Sequence, residues 1–210
     1  MWEEVGIRGF LRDHGYFRPT SRAKAELIGG DPTHKHFKVR IQLDEGPQYR
    51  LEQIRFEGEK AFSEEELRPL IRLREGGVFD VSKVREGLDA IYRKYGSKGF
   101  LDATPEPITE IDEARGRITL TIKMDEQLQY RIGRFELLGL DHDLENQLKS
   151  ILTPGENYNS KRVYDFFREH KAVLPDDAWP ESMRINRDAR TGLVSGVFDF
   201  RTCRQFQTQD

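Results

Sequence analysis

Tyr49-Arg50-Leu51-Glu52-Gln53-Ile54-Arg55-Phe56-Glu57-Gly58 returns later in the chain as Tyr130-Arg131-Ile132-Gly133-Arg134-Phe135-Glu136-Leu137-Leu138-Gly139. Each copy reads Tyr-Arg, an aliphatic residue, two spacers, then two apolar residues two apart and a glycine. Downstream, Leu73, Gly76, Phe79 and Val84 line up with Leu152, Gly155, Tyr158 and Val163 once two residues are dropped from the second copy. Upstream, Phe37–Glu45 matches Ile118–Glu126, both with the period-two alternation of a half-buried strand. The repeat is about eighty residues long. The chain therefore divides into a partial copy at 1–46, a complete copy at 47–127, a complete but divergent copy at 128–204 and a tail at 205–210.

The complete middle copy supplies the element order. Residues 49–57 alternate and stop at Gly58, as a strand entering a turn does. Ser63 followed by Glu66 forms a capping box that opens a short helix through Leu67, Leu70 and Ile71, broken by Gly76-Gly77. Asp80 caps a second helix, with Val81, Val84, Leu88, Ile91, Tyr92 and Tyr95 along one apolar stripe and Gly99 as its stop. Strands at 101–111 and 117–125, joined by a turn at 112–116, complete a β-α-α-β-β module. The fold class is α+β: tandem modules, each a three-stranded mixed sheet covered by two helices. Gly58, Gly76, Gly99, Gly139 and Gly155 are its turn positions. Residues 1–45 supply only a second helix, with Val5, Ile7, Phe10 and Leu11 as its apolar side, and two strands. This leaves apolar core exposed and prone to borrow a strand from a neighbouring molecule.

Two irregularities bear on what the modules do. Pro105 and Pro107 sit two apart in the second strand, so the side on which they would donate cannot face the sheet. That strand belongs at an edge, with 117–125 in the middle. Pro19 and Pro180 are placed in the corresponding strands of the other copies. An open edge either is protected by such prolines or accepts partner strands, in which case Ile108–Ile111 is the receptive half and Thr104, Ile108, Thr109, Glu110 and Ile111 are the candidate binding residues. In the first strand the apolar phase slips: Tyr49 and Leu51 share one parity, Ile54 and Phe56 the other, and the second copy repeats this. Either a bulge intervenes or the early residues face something else. Tyr49, Leu51, Tyr130 and Ile132 are accordingly candidates for the module junctions, or for finishing their own module's core.

Composition excludes several function classes. Charged residues make up 34% and hydrophobic ones 36% of the 210 residues, more surface than a single compact domain shows, as several small cores require. With 34 basic against 37 acidic residues and no basic run, nucleic acid is not an expected partner. No apolar stretch approaches the roughly 20 residues of a membrane-spanning helix. The start, Met1-Trp2-Glu3-Glu4, has no export signal, so work outside the cytoplasm requires a longer precursor. Cys203 stands alone, which excludes an internal disulfide or a multi-cysteine zinc site. The five histidines are scattered, His34 and His36 are too few ligands for a metal, and no phosphate loop or nucleophile constellation appears, so neither catalysis nor a cofactor is expected.

The module order, the Tyr-x-aliphatic opening, Gly58, the Gly76 to Phe79 spacing and Gly99-Phe100 together resemble the polypeptide-transport-associated (POTRA) domain family. Gly139, Gly155 to Tyr158 and Gly15-Tyr16 repeat the pattern, and the last copy departs from it at Leu174–Trp179. The resemblance implies the periplasmic side of the outer membrane. There it implies the arm of an assembly or translocation protein of the BamA and TamA type, preceding a membrane β-barrel that this sequence does not include. The implied partners are unfolded outer-membrane polypeptides and accessory periplasmic or lipoprotein components, held by strand addition. The docking platform of a two-partner secretion transporter is the alternative. A KH-like nucleic-acid module shares the element order, but Glu75-Gly76-Gly77 lacks the Gly-x-x-Gly clamp and would repel phosphate.

Overall fold

A computed structural model of the chain describes residues 6–31 and 33–201. Val5, Cys203 and the tail at 205–210 lie outside the described residues. The elements in order are α1 (Ile7–Asp13), β1 (Thr20–Gly30), β2 (Lys35–Asp44), β3 (Arg50–Glu57), α2 (Glu64–Leu67), α3 (Val81–Gly96), β4 (Thr104–Asp112), β5 (Arg117–Asp125), β6 (Arg131–Leu138), α4 (His142–Ile151), α5 (Ser160–Glu169), β7 (Arg184–Asp188) and β8 (Leu193–Asp199). They build a two-stranded sheet β1-β2 and two three-stranded sheets, β3-β5-β4 and β6-β8-β7. Among the described residues no helix is long and apolar enough to cross a membrane.

By internal contact the chain falls into two units whose boundary runs through the middle repeat. The first takes the chain up to Glu57 with Glu65–Leu88 and Pro107–Ile122; the second takes Gly58–Glu64, Asp89–Glu106 and the chain from Lys123 onward. In the first unit, β1 and β2 form an antiparallel hairpin from Thr20↔Asp44 to Gly30↔Lys35, with a register shift between Leu27 and Gly29. Opposed residues share a face, so Phe37, Val39, Ile41 and Leu43 stand with Leu27, Ala25, Ala23 and Ser21. Both strands are exposed along their whole length, Val39 at 58%. Of the apolar side expected for α1, Leu11 is buried while Ile7 and Phe10 are exposed.

In the second unit β6 lies parallel to β8 and β7 antiparallel to it, with β8 in the middle. Tyr130, Ile132, Leu148, Val163, Phe167, Val194 and Phe198 are among the residues of its core. The phase slip of the first strand is a bulge here: the register shifts between Ile132 and Phe135, and the Arg134 amide donates to Ser195 Oγ (3.1 Å). Helix α4 is capped by Asp141 and α5 by Asn159, each side chain accepting an amide of the first turn.

Several expected boundaries move. The first helix ends at Leu67 and passes into a 3-10 turn at Arg68–Leu70, because Pro69 has no amide to continue an α-helix, and Ile71 is extended. On α3, Tyr92 is exposed, and Gly87 is buried on the packed face instead. A Cβ on Gly87 would overlap Ile71 Cδ1, so the helix approaches Ile71 more closely than a side chain would permit. The second strand begins at Thr104 because Phe100 and Leu101 still belong to the turn that follows Gly99, their amides bonded to Tyr95 O and Gly99 O. Neither Pro19 nor Pro180 lies in a strand: β1 starts after Pro19, and Pro180 opens a 3-10 turn ahead of β7. Among the described prolines, only Pro105 and Pro107 sit within an edge strand.

A carboxylate closes the second unit's share of the middle repeat. Glu126 Oε1 accepts from the amides of Lys60 (2.7 Å) and Ala61 (2.8 Å) and from Tyr95 Oη (3.0 Å). Burial alone would raise its pKa, but these donors, with Lys60 nearby, outweigh it and hold the carboxyl below the usual glutamate range. A depressed folded-state pKa means stability present above the unfolded value of about 4.3 and lost as pH falls through the folded one. Glu126→Gln is expected to cost about 1 kcal/mol at pH 7 by weakening a charge-assisted set. Urea midpoints of the two proteins should converge as the pH is lowered from 6 to about 3. A difference that stays constant across that range would show that the charge is not what matters.

Candidate binding edge and module junctions

β4 is the outer strand of its sheet, with β5 between it and β3. Its residues are exposed except for half-buried Pro105, so Thr104, Ile108, Thr109, Glu110 and Ile111 all face solvent, with Ile108 at 41% and Ile111 at 37%. In a strand the N–H and C=O of one residue point the same way and alternate along the chain. Pro105 and Pro107 have no N–H, so the outward donors they would have provided are missing. By the same parity the donors that remain on that side are the amides of Thr109 and Ile111. The opposite parity carries Glu106 and Glu110, neither in an ion pair among the described residues, and Asp112, which faces Arg115 at 3.9 Å. The matching edge in the second unit, β7, spans only Arg184–Asp188.

The candidate junction residues fall into two sites with the same construction, one in each unit. In the first, the Tyr49 amide donates to Gly15 O (2.8 Å), the Phe79 amide to Tyr49 O (3.0 Å), the Arg50 amide to Gly116 O (3.0 Å), and Gln48 Nε2 to His14 O (3.0 Å). In the second, the Tyr130 amide donates to Gly99 O (2.8 Å), the Tyr158 amide to Tyr130 O (3.0 Å), the Arg131 amide to Gly192 O (2.8 Å), and Gln129 Nε2 to Lys98 O (2.8 Å). Leu51 and Ile132 exchange backbone bonds with their own copy's glycine loop, at Gly76 and Gly77 and at Gly155 and Glu156. Tyr49, Leu51, Tyr130 and Ile132 are all buried. Their side chains sit in core, and the tyrosine amides bond to Gly15 O and Gly99 O of the preceding repeat. Gly58, Gly76, Gly99, Gly139 and Gly155 all stand at positive φ.

Each junction is also closed by an ion pair on its outer side, which the repeat pattern did not reveal. Arg18 meets Glu113 at 2.5 Å, and Asp102 meets Arg187 at 2.7 Å. Arg18 and Asp102 occupy equivalent places, three residues after Gly15 and Gly99. The charges are therefore inverted: the preceding copy supplies the cation at the first junction and the anion at the second. Asp102 additionally accepts from Tyr130 Oη (2.7 Å), and that bond, then burial, holds the tyrosine hydroxyl above its ordinary pKa. At the first junction Phe17 packs edge-on to Tyr49 and Phe79, with ring centroids 5.9 and 5.6 Å apart. Sequence comparison aligned glycines and aromatics by identity, and a position that reverses its charge is invisible to that criterion.

Residues 49–127, the middle repeat, match the model of the POTRA family, described as the surface antigen variable number repeat. The middle repeat matches as a POTRA domain. It is 26% identical over 147 residues, 65% of its length, to a putative outer membrane protein assembly factor of Treponema pallidum. It is 26% identical over 164 residues, 76% of its length, to the outer membrane protein assembly factor BamA of Neorickettsia risticii. The matches take in 17% and 21% of those relatives, so the chain spans about a fifth of their length. Among solved structures, POTRA domains 3–5 of Haemophilus influenzae BamA share its fold, with a TM-score of 0.66 at 24% identity over 93% of this chain and 77% of that one. The two junctions thus lie at the start of the matched repeat and just beyond its end, and β4 is the outer strand of its sheet. Among the described residues no three histidine, cysteine, aspartate or glutamate side chains gather into a metal site.

Proposed function

We propose that residues 1–46, 47–127 and 128–204 are successive POTRA domains of the periplasmic arm of an outer-membrane protein assembly factor, and that they hold unfolded outer-membrane polypeptides by strand addition rather than by chemistry. The observation that carries this reading is the open edge of β4, with the Thr109 and Ile111 donors unblocked by proline. A backbone ladder carries no side-chain code, so such an edge accepts many extended clients, and weak contacts on successive domains add through effective concentration. The likeness to curated assembly factors supports the cellular setting: a longer exported protein with a membrane barrel, and accessory assembly components as further partners.

The test is an amide-resolved NMR titration with short β-prone peptides. Dissociation constants of roughly 10 μM to millimolar are expected, as for small transient contacts. Shifts should be concentrated at 104–111 and weighted towards Ile108–Ile111. Thr109→Pro removes one of the two remaining outward donors and is expected to weaken binding about five-fold. Peptide binding that leaves residues 104–111 unperturbed would refute the edge reading.

A further inference from the structure

The outer edges of neighbouring domains meet end to end. In the β1–β2 hairpin the open end is Thr20 with Asp44, and the turn lies beyond Gly30 and Lys35. β2 is the repeat counterpart of the middle strand β5, which makes β1 the counterpart of the edge strand β4. Within the first unit, the turn that closes β4 and β5 sits against this open end: the Arg50 amide donates to Gly116 O, and Tyr16 bridges Gln48. The Arg18–Glu113 pair then joins a residue just before β1 to a residue just after β4. The end of one edge strand is thereby held beside the start of the other. Within the second unit the same relation recurs with inverted charge, since Arg187 near the end of β7 meets Asp102 just before β4 begins.

An edge that continued in the opposite direction would force a bound strand to reverse, because a ladder keeps one polarity along its length. If the end of β4 leads straight on into the start of β1, a strand antiparallel to one is antiparallel to the other. We infer that each junction ion pair aligns two POTRA edges into one track, and that the occupant is a single extended polypeptide running across the junction without a turn. This rests on the strand-addition reading and adds continuity and direction to it. Both partners of the first pair are about 60% exposed, so its contribution to stability is small and its role is positional. At about 3.3 Å per extended residue, a client needs about five residues on Ile108–Asp112, about four across the ion pair and about five on β1, some 14 in all.

The probes are synthetic peptides of alternating threonine and valine, 6 and 14 residues long, titrated into the isotope-labelled 210-residue chain. The short peptide is expected to shift Ile108–Ile111 amides. The long one should bind about ten-fold more tightly and also shift Thr20–Lys24. Arg18→Glu should remove most of that gain while leaving the affinity of the short peptide unchanged, and Arg18→Glu with Glu113→Arg should restore it. A long peptide with no gain, or a gain that survives Arg18→Glu, overturns the track. A short peptide that fails to shift β4 overturns the strand-addition reading beneath it instead.

Discussion

Gly99→Ala is expected to destabilise the second unit by about 3 kcal/mol, whereas Gly155→Ala should cost only about 1. The two glycines share one conformation, with φ of +90° and +89°. What separates them is space. A Cβ at Gly155 meets nothing within 4 Å, but at Gly99 it would lie 2.7 Å from Tyr130 O and 3.0 Å from Tyr158 O, both backbone atoms. Relief requires moving the Tyr130 backbone, whose amide donates to Gly99 O and whose carbonyl accepts from Tyr158. The substitution therefore combines the left-handed penalty with loss of a buried hydrogen bond and displacement of the junction. Urea midpoints together with amide exchange at Tyr130 and Tyr158 measure it. Equal costs at the two positions would mean that backbone conformation alone explains Gly99.

The modular plan was legible because repetition amplifies weak signals. Tyr49 and Tyr130 mark equivalent places twice, and Pro105 with Pro107 identifies an edge by what proline cannot donate. The limits of that reading are physical. Pro19 and Pro180 looked like strand prolines by alignment, yet β1 and β7 begin after them, because a strand boundary depends on where pairing starts and one sequence does not encode its partner's register. Tyr92 fits the helical stripe of α3 by period, while Gly87, which the stripe omits, is buried because Ile71 lies against it. Glu126 reads as the last residue of an alternating strand, and only the return of Lys60 and Ala61 gives it a role.

The near-neutral balance of the chain is suited to a permissive backbone receptor, but it is not uniform along the edges. β4 presents Glu106, Glu110 and Asp112 without a cation of its own, whereas β1 carries Arg22 and Lys24 against Glu26. Pairing across a strand contributes only tenths of a kcal/mol to about 1 kcal/mol per charge pair, so under the proposed strand addition these residues would bias an added strand's placement without deciding whether it binds. A charge at the junction acts differently, because it fixes where one edge ends relative to the next. Inversion between Arg18–Glu113 and Asp102–Arg187 also gives each junction its own complement: exchanging the preceding partners would set Asp102 against Glu113 and Arg18 against Arg187. Each junction is thereby distinguished by an exposed pair that contributes little to stability.

Phe198→Ala is expected to have the largest effect of any single core truncation in the second unit, about 3–5 kcal/mol. Phe198 is fully buried on the central strand β8, with ring centroids 5.3 Å from Phe135, 5.9 Å from Phe167 and 6.5 Å from Phe200. Those rings come from β6, from α5 and from the end of β8, so one side chain ties the outer strand and a helix to the middle of the sheet. Its removal leaves a void that aromatic neighbours, fixed edge to face, fill poorly. The consequence reaches the junction, because β8 also carries β7 and β7 carries Arg187, the partner of Asp102. Amide exchange should therefore accelerate in β8 and β7 together, and the Asp102–Arg187 contact should be lost with them. Phe198→Leu, which keeps most of the volume, should cost less than half as much. Unchanged exchange in β7 on truncation of Phe198 would mean that the edge is held by the junction and not by its own sheet, which would reverse the order of dependence between domain core and domain alignment.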